Sequence, residues 1–314
     1  MAASQGGGSP VDVRSSRRQF LLSAAGASLL ALRRARARTD DGGDRVARDG
    51  VALYWFTQLA DREGKPFRDL LPGYLAMTAE AGFSCVEGWL TDCETDEAAA
   101  GFADLVKAPG LAIAGLYSGG ALHAEKASDE VRSILDRAAK AKHIGCPGIN
   151  VNPDPVGREK TDAELATQAS ALDELGAGLR EMGLWLGIHT HSPEMSHNAR
   201  EFRSNLDRTS PENVGLCADF HWIYRGGGDP YAITERYAAR VVSTHLRNSV
   251  EAVWAESFCE GDLDYSRIRA LLDAAGYKGP LCVELALEPR TPDTRPPLEN
   301  LKLSRQYLRQ VFGV

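Results

Sequence analysis

The chain has 314 residues, 43% of them hydrophobic and 25% charged, which are ordinary values for a globular protein. This composition excludes collagen, a coiled coil and a disordered chain, and the lack of an 18-residue apolar run excludes a membrane-spanning helix in the mature protein. The formal net charge of −7 is uneven, because residues 1–37 hold six Arg and one acidic residue and leave −12 on the remainder. A chain segment with so large a negative charge repels the phosphate backbone of nucleic acids, and we therefore expect no nucleic-acid partner.

Residues 1–37 are predicted to be an export signal. The stretch Ser16-Arg17-Arg18-Gln19-Phe20-Leu21-Leu22 places two adjacent Arg before an apolar run that extends to Leu32. It resembles a twin-arginine signal peptide with Leu22 in place of Lys, and Ala35-Arg36-Ala37 is the expected cleavage site. We therefore expect a periplasmic or secreted protein that uses the twin-arginine export machinery and has no stable membrane anchor. A disordered basic tail is the alternative.

Residues 38–50 are charged and rich in Gly, and we interpret them as a linker. From there the chain alternates short apolar runs with amphipathic stretches. The apolar runs, which we predict to be strands, are 51–56, 84–89, 111–117, 148–152, 184–190, 214–219, 241–246 and 281–285. The predicted helices are 67–81, 96–107, 128–143, 162–182, 198–208, 229–238, 266–275 and 297–312.

Periodicity and helix ends support this alternation. In the helix predicted over 128–143, the apolar residues Val131, Ile134, Leu135 and Ala138 recur on one face. Several helices are followed by Gly, which is typical of a left-handed C-cap. Eight strand–helix units over 51–314 predict an α/β fold, a single (β/α)₈ TIM barrel. A doubly wound open sheet is the alternative, but the G-x-G-x-x-G turn expected after its first strand is absent.

Polar side chains that can bind metals or substrate lie at the ends of the predicted strands. They are Glu87, Asn150, Asn152, His189, His191, Glu194, Asp219, His221, His245, Arg247 and Glu284. Strand ends on one side of a TIM barrel converge on its axis and form the active site. Imidazole and carboxylate groups that converge there suit a divalent cation such as Mn²⁺, Zn²⁺, Co²⁺ or Mg²⁺. We predict that one such cation is bound by His189, Asp219, His245 and Glu284.

Several of these residues could also have a purely structural role. His189 and His191 alternate along a strand and could be a buried pair bonded to the backbone, and Asp219 could cap a helix. His245 could be a hydrogen-bonded core residue. For Glu87, a role in the site and a role in a structural polar network are equally favoured interpretations. The metal site is favoured because its members end four successive strands, the fifth to the eighth.

Four motifs at these strand ends resemble the xylose-isomerase-like TIM barrel superfamily, which includes the sugar phosphate isomerase/epimerase family. They are Asn213-Val214-Gly215-Leu216-Cys217-Ala218-Asp219, Val242-Ser243-Thr244-His245-Leu246-Arg247, Glu260-Gly261-Asp262-Leu263-Asp264-Tyr265 and Val283-Glu284-Leu285. The resemblance implies that Asp219, His245 and Glu284 are metal ligands and that Glu284 is also the catalytic base.

Two positions depart from the pattern of that superfamily. Epimerases carry a Glu at the end of the fifth strand, where this chain has His189, and His191 or Glu194 could take its place as the ligand. Trp222 stands where a second His follows the sixth strand, unless the alignment is shifted by one residue. Both departures weaken the paired-Glu mechanism of proton transfer, whereas the metal site is retained because imidazole can replace carboxylate.

The resemblance implies a metal-dependent isomerase or epimerase that acts on a sugar or keto-sugar through a metal-stabilised enediolate. Its expected catalytic groups are Glu284, His191 and Glu194. The expected substrate contacts are Glu87, Asn152, His221, Arg247 and Trp254. Trp254 would cover an apolar sugar face or close a lid, or would instead pack on a neighbouring subunit, and a homo-oligomer is left open.

Three other functions are compatible with parts of this pattern. A lyase or dehydratase acting on a keto-sugar or inosose would use the same site. A non-catalytic exported sugar-binding protein would keep the metal ligands but lack the second base. A phosphodiesterase that resembles endonuclease IV would need more metal ligands and a basic groove, which a net charge of −12 does not provide.

Overall fold

The computed structural model of the chain describes residues 48–314. The predicted export signal and all of the predicted linker except its last three residues lie outside the described residues. Within 48–314, no helix combines the length and the apolar character that are needed to cross a bilayer.

Eight parallel strands close into a barrel, which confirms the predicted TIM barrel. The described strands are β1 (Asp49–Ala52), β2 (Cys85–Trp89), β3 (Ala112–Gly120), β4 (Gly148–Pro153), β5 (Trp185–Ile188), β6 (Gly215–Asp219), β7 (Val241–Leu246), β8 (Ser249–Val250), β9 (Val253–Trp254) and β10 (Leu281–Val283). Their order around the barrel is β1-β10-β7-β6-β5-β4-β3-β2, and β8 and β9 form a separate antiparallel hairpin.

Helices follow the barrel strands, as the βα alternation predicts. They are α1 (Tyr54–Glu63), α2 (Phe67–Glu80), α3 (Asp96–Lys107), α4 (Ala127–His143), α5 (Asp162–Glu181), α6 (Ser192–Asp207), α7 (Phe220–Arg225), α8 (Pro230–Tyr237), α9 (Tyr265–Ala274) and α10 (Pro297–Phe312). Short 3₁₀ turns cover Leu90–Cys93 and Ala238–Arg240.

The first strand is shorter than predicted and begins earlier. It starts at Asp49, inside the segment predicted as linker, and it ends at Ala52, so the strand predicted over 51–56 is wrong in its second half. The apolar residues Trp55 and Phe56 belong instead to α1, where both are buried. A short apolar run has no periodicity that separates a strand from a buried helix, and this explains the error.

The sixth helix begins earlier than predicted and contains a kink. It begins at Ser192, directly after β5, instead of at residue 198. His197, Asn198 and Ala199 have φ values of +52°, +60° and +57°, so a left-handed segment joins two helical pieces. The short first piece carries Glu194 at the mouth of the barrel.

Two elements near the mouth were not predicted, namely α7 and the β8–β9 hairpin. Asp219 ends β6 and caps α7, because its carboxylate accepts the backbone N–H groups of His221 and Trp222 at 3.1 and 2.8 Å. Asp219 therefore caps a helix and also lies at the strand end where a metal ligand was predicted. The hairpin follows β7 and pairs Ser249 with Trp254.

A glycine in β1 makes room for two thiols in the barrel. Gly50 pairs with Cys85 of β2 on one side and with Cys282 of β10 on the other. A Cβ atom at Gly50 would lie 2.9 Å from the Cys282 sulfur and 3.0 Å from that of Cys85. Both thiols are fully buried, so they are packing groups of the barrel wall.

Candidate metal centre

The structure brings four of the predicted residues together at the C-terminal ends of neighbouring strands. Each offers one potential ligand atom, and these atoms all lie within 4.8 Å of one another. The four residues are His189 after β5, Asp219 at the end of β6, His245 in β7 and Glu284 after β10. Three of the side chains are almost fully buried, whereas that of Glu284 is 12% exposed and opens to the mouth.

Both imidazoles are oriented by a hydrogen bond on the side away from the cluster. His189 Nδ1 lies 3.3 Å from Asn152 Oδ1, and His245 Nε2 lies 2.8 Å from Glu87 Oε1. Because both partner oxygens are acceptors, these nitrogens carry the ring protons. The opposite nitrogens, His189 Nε2 and His245 Nδ1, are buried and have no hydrogen-bond partner. When the rings are neutral, these two nitrogens present lone pairs to the cluster, and a metal ion requires such lone pairs.

Each free imidazole nitrogen faces a carboxylate oxygen. His189 Nε2 is 3.5 Å from Asp219 Oδ2, and His245 Nδ1 is 3.4 Å from Glu284 Oε2. Asp219 Oδ1 is occupied by the cap of α7, so Oδ2, which Arg247 also contacts, is the oxygen that could bind a cation. Two nitrogens and two oxygens form a donor set that suits Zn²⁺, Mn²⁺ or Co²⁺. The residues present therefore fit the cation that the sequence predicts.

Behind His245, a chain of hydrogen bonds crosses the interior of the barrel. Glu87 Oε2 accepts from Asn150 Nδ2 at 2.7 Å, and Asn150 Oδ1 accepts from Ser243 Oγ at 2.7 Å. Both bonds are buried, and Glu87 is 4% exposed. The predicted substrate contact Glu87 thus lies in a polar network that supports His245. Sequence reasoning missed Ser243, whose only signal is a hydroxyl inside an apolar strand.

A second chain supports His189. Asn152 donates to Glu194 Oε1 at 3.5 Å, and Glu194 Oε2 accepts the backbone N–H of His191 at 2.7 Å. Glu194 is 1% exposed, and burial raises its pKa. The structure therefore places Glu194, a predicted catalytic group, and Asn152, a predicted substrate contact, in the support of His189.

Arg247 lies against the candidate ligands. Its Nη2 atom contacts both Asp219 Oδ2 and Glu284 Oε2. The centre of its guanidinium is 5.4 Å from the ring centre of Trp222 and 5.2 Å from that of Trp254. The predicted substrate contact Arg247 is 3% exposed and is paired with the carboxylates of the cluster.

His221 and Trp254, two further predicted substrate contacts, are joined in a separate hydrogen-bond chain. Trp254 Nε1 donates to His221 Nδ1 at 3.1 Å, and His221 Nε2 lies 2.8 Å from Ser249 Oγ. Ser249 in turn donates to Asp262 at 2.6 Å. Both ring nitrogens of His221 are thus engaged inside the protein, and Trp254 is buried within its own chain.

Aromatic rings line the half-buried side of the cluster. The ring of His191 lies 4.6 Å from that of His189 and 5.1 Å from that of Trp222, and Tyr117 approaches His189 at 5.4 Å, all measured between ring centres. His191, Trp222 and Tyr117 each keep part of their surface exposed. Tyr117, which lies near the C-terminal end of β3, was not predicted, although the end of its strand could have drawn attention to it.

The charges of the cluster are set by burial and by Arg247. Burial would raise the pKa of Asp219 and of Glu284, but the Arg247 guanidinium and the neighbouring imidazoles lower both below their ordinary values. Both carboxylates are therefore ionised near neutral pH. Burial, together with neighbouring His189, lowers the pKa of His191 to about 3, so its imidazole is neutral.

Inosose dehydratases are among the proteins similar in sequence to this chain. The chain is 29% identical to that of Histophilus somni over 212 residues, which cover 59% of this chain and 70% of the relative. It is 27% identical to that of Clostridium perfringens over 167 residues, or 48% of this chain. The chain therefore spans only 55% of the length of the Clostridium relative.

Several solved structures share the fold at low sequence identity. A sugar phosphate isomerase/epimerase from Parabacteroides distasonis aligns with a TM-score of 0.64 at 17% identity and covers 86% of this chain and 97% of that one. An L-ribulose 3-epimerase aligns with a TM-score of 0.63 at 16% identity over 85% of this chain and 95% of that one.

At the level of families, residues 75–311 match the family described as xylose isomerase-like TIM barrel. This match includes seven of the eight barrel strands and all four residues of the candidate metal centre, and it confirms the resemblance seen in the motifs. The chain belongs to the xylose isomerase-like TIM barrel family.

Proposed function

We propose that the protein is a metal-dependent isomerase or epimerase that acts on a sugar or keto-sugar. One observation carries the proposal: two buried imidazole nitrogens without partners face two ionised carboxylates at the mouth of the barrel. A divalent cation held there would polarise the carbonyl and an adjacent hydroxyl oxygen of a sugar. The residues in this role are His189, Asp219, His245 and Glu284.

Glu284 is the proposed group for proton removal. It is the most exposed of the four residues, and its ionised carboxylate can accept a proton from the carbon beside a polarised carbonyl, which gives an enediolate. His191 is the proposed partner on the other side of the substrate, because its partly exposed imidazole lies at the mouth beside the ring of His189. Glu194, which is buried behind His189, would orient that ligand and not touch the substrate.

The substrate would pack against the aromatic side of the mouth. Trp222, Tyr117 and His191 present partly exposed rings there, and the C–H face of a sugar is apolar enough to pack on such rings. Of the substrate contacts predicted from sequence, Glu87 and His221 are held in internal hydrogen bonds. We propose that these two residues position the site from behind.

A dehydratase is the second candidate, and the inosose dehydratase relatives favour it. It would begin with the same proton removal by Glu284, but a hydroxyl group on the next carbon would then leave as water. The two reactions share the described residues and differ in their products. Export by the twin-arginine route stays a prediction from the sequence.

Proton exchange tests the proposal directly. The protein loaded with Mn²⁺ is incubated in D₂O with a panel of ketohexoses and an inosose, and products are followed by NMR and mass spectrometry. We expect deuterium at the carbon beside the carbonyl, with an epimer or isomer as product; loss of water would instead identify the dehydratase.

Two variants control the exchange experiment. E284Q should lose exchange, because an amide cannot accept the proton, whereas E256Q should keep it. Glu256 is as buried as Glu87, but it binds Thr294 and Asn300 outside the cluster. Absence of exchange with every sugar, in protein shown to contain Mn²⁺, would contradict the proposed function.

A further inference from the structure

Arg247 contacts the two oxygens that a cation would need. Its single Nη2 atom reaches Asp219 Oδ2 and Glu284 Oε2, and these oxygens are the ones that face the unpartnered imidazole nitrogens. A guanidinium is charged at every physiological pH, so a full positive charge lies at the edge of the candidate ligand set.

The two carboxylates need such a charge when no cation is bound. Asp219 is fully buried and Glu284 is 12% exposed, and both contact the same guanidinium nitrogen. Two negative charges this close, away from water, repel each other, and this repulsion destabilises the metal-free protein unless a counter-charge is present. Arg247 removes that cost by pairing with both.

The structure also holds the guanidinium in place. Arg247 lies near the rings of Trp222 and Trp254, and its backbone carbonyl accepts the hydroxyl of Tyr265 at 2.6 Å. Cation–π contacts with these two rings stabilise a guanidinium in such a position. The charge is therefore built into the site and does not depend on a flexible surface side chain.

We propose that Arg247 is a positioning residue that supplies the positive charge of the centre before a cation binds. This inference rests on the proposed metal centre. Arg247 keeps the ligand oxygens of Asp219 and Glu284 together, which stabilises the metal-free fold. The same charge repels an incoming divalent cation, so Arg247 lowers the affinity of the finished centre and keeps its cation exchangeable.

The test removes the charge and measures cation binding without any substrate. Purified R247M and native protein are stripped of metal, melted, and titrated with Mn²⁺ by calorimetry. We expect metal-free R247M to melt several degrees lower and to bind Mn²⁺ about tenfold more tightly, because it loses a repulsion between close charges. Added Mn²⁺ should therefore raise its melting temperature by more than that of the native protein.

R225M is the matched control. Arg225 also lies near the Trp254 ring, at 4.7 Å, and also pairs with a carboxylate, but its partner is Glu288 and it touches no candidate ligand. Its loss removes the same charge and should leave the Mn²⁺ affinity within about twofold of native, since the charge is farther from the centre. R247K, which keeps the charge, should also bind with near-native affinity.

The outcomes separate this inference from the proposed function. R247M that folds only when Mn²⁺ is present would support it, and R247Q then provides a second neutral variant for the affinity measurement. Unchanged or weaker Mn²⁺ binding by the neutral variants would overturn the role of Arg247 while leaving the metal centre intact. Failure of the native protein to bind Mn²⁺, Zn²⁺, Co²⁺ or Mg²⁺ would overturn the metal centre itself.

Discussion

Glu87 is hydrogen-bonded to His245 on the side of the imidazole that faces away from the cluster. It orients His245 through Nε2 and so leaves Nδ1 free on the cluster side. Carboxylates that hold a metal-binding imidazole in this way set both its tautomer and its direction. The hydrogen bond between Glu87 and Asn150 then connects that orientation to β4.

We expect E87Q to weaken Mn²⁺ binding by about 10- to 100-fold, the usual cost of losing such a partner. The amide lacks the charge of the carboxylate and can offer the imidazole a donor in place of an acceptor. Titration calorimetry measures the change, with E256Q as the control because Glu256 is buried to the same extent. Equal affinities for the two variants would show that Glu87 does not orient the ligand.

The position of a side chain that ends a strand could be predicted from the sequence, whereas its role stays a prediction. Asp219 and His245 could be predicted because the closed barrel makes all strand ends converge, whatever the remaining packing. The hydrogen bond from His245 to Glu87 could not be predicted. Glu87 lies on β2, three strands away from His245 on β7, so their contact crosses the interior and depends on how all the layers pack.

At the scale of elements, the β8–β9 hairpin joins Arg247 to its tryptophan neighbour. Its two turn residues, Glu251 and Ala252, have φ values of +51° and +60°, although neither is Gly or Asn. Asp262 binds both of their backbone N–H groups, at 3.1 and 2.8 Å. Asp262 therefore stabilises a turn that the residues Glu251 and Ala252 do not favour, and this is why the hairpin was not predicted.

Replacing Glu251-Ala252 by Asn-Gly should stabilise the protein by about 1 kcal/mol, because this pair tolerates positive φ at both turn positions. Chemical denaturation of the metal-free protein measures the change in the free energy of unfolding. The Mn²⁺ affinity should not change, since neither residue touches the cluster. A less stable variant would show that the side chains of the native turn contribute more than its strain costs.

Elements were predicted well where length and periodicity agreed, as in α3 and α10, whose bounds match the predicted helices. They were predicted poorly where an apolar run was short. Trp55 and Phe56 continue the run of β1 in sequence, but the chain turns into α1 at Tyr54 and buries them there. Tertiary packing decides such cases, and the local pattern does not contain that information.

At the scale of the whole molecule, closure of the barrel is what makes a site from separate strand ends. The count of eight strand–helix units predicts that closure, and the order of the strands confirms it. The reaction is a different matter, because isomerases, epimerases and dehydratases all appear among the similar proteins. In the proposed reactions, the choice of substrate would depend on the mouth, where Tyr117 and Trp222 lie.

We propose that one divalent cation binds at the strand ends of this barrel. A crystal structure of the protein grown with Mn²⁺, with anomalous data to locate the ion, tests it most directly. We expect one ion about 2.0–2.3 Å from His189 Nε2, His245 Nδ1 and one oxygen each of Asp219 and Glu284. An ion bound elsewhere, or no ion with Arg247 still joining the two carboxylates at saturating Mn²⁺, would contradict it.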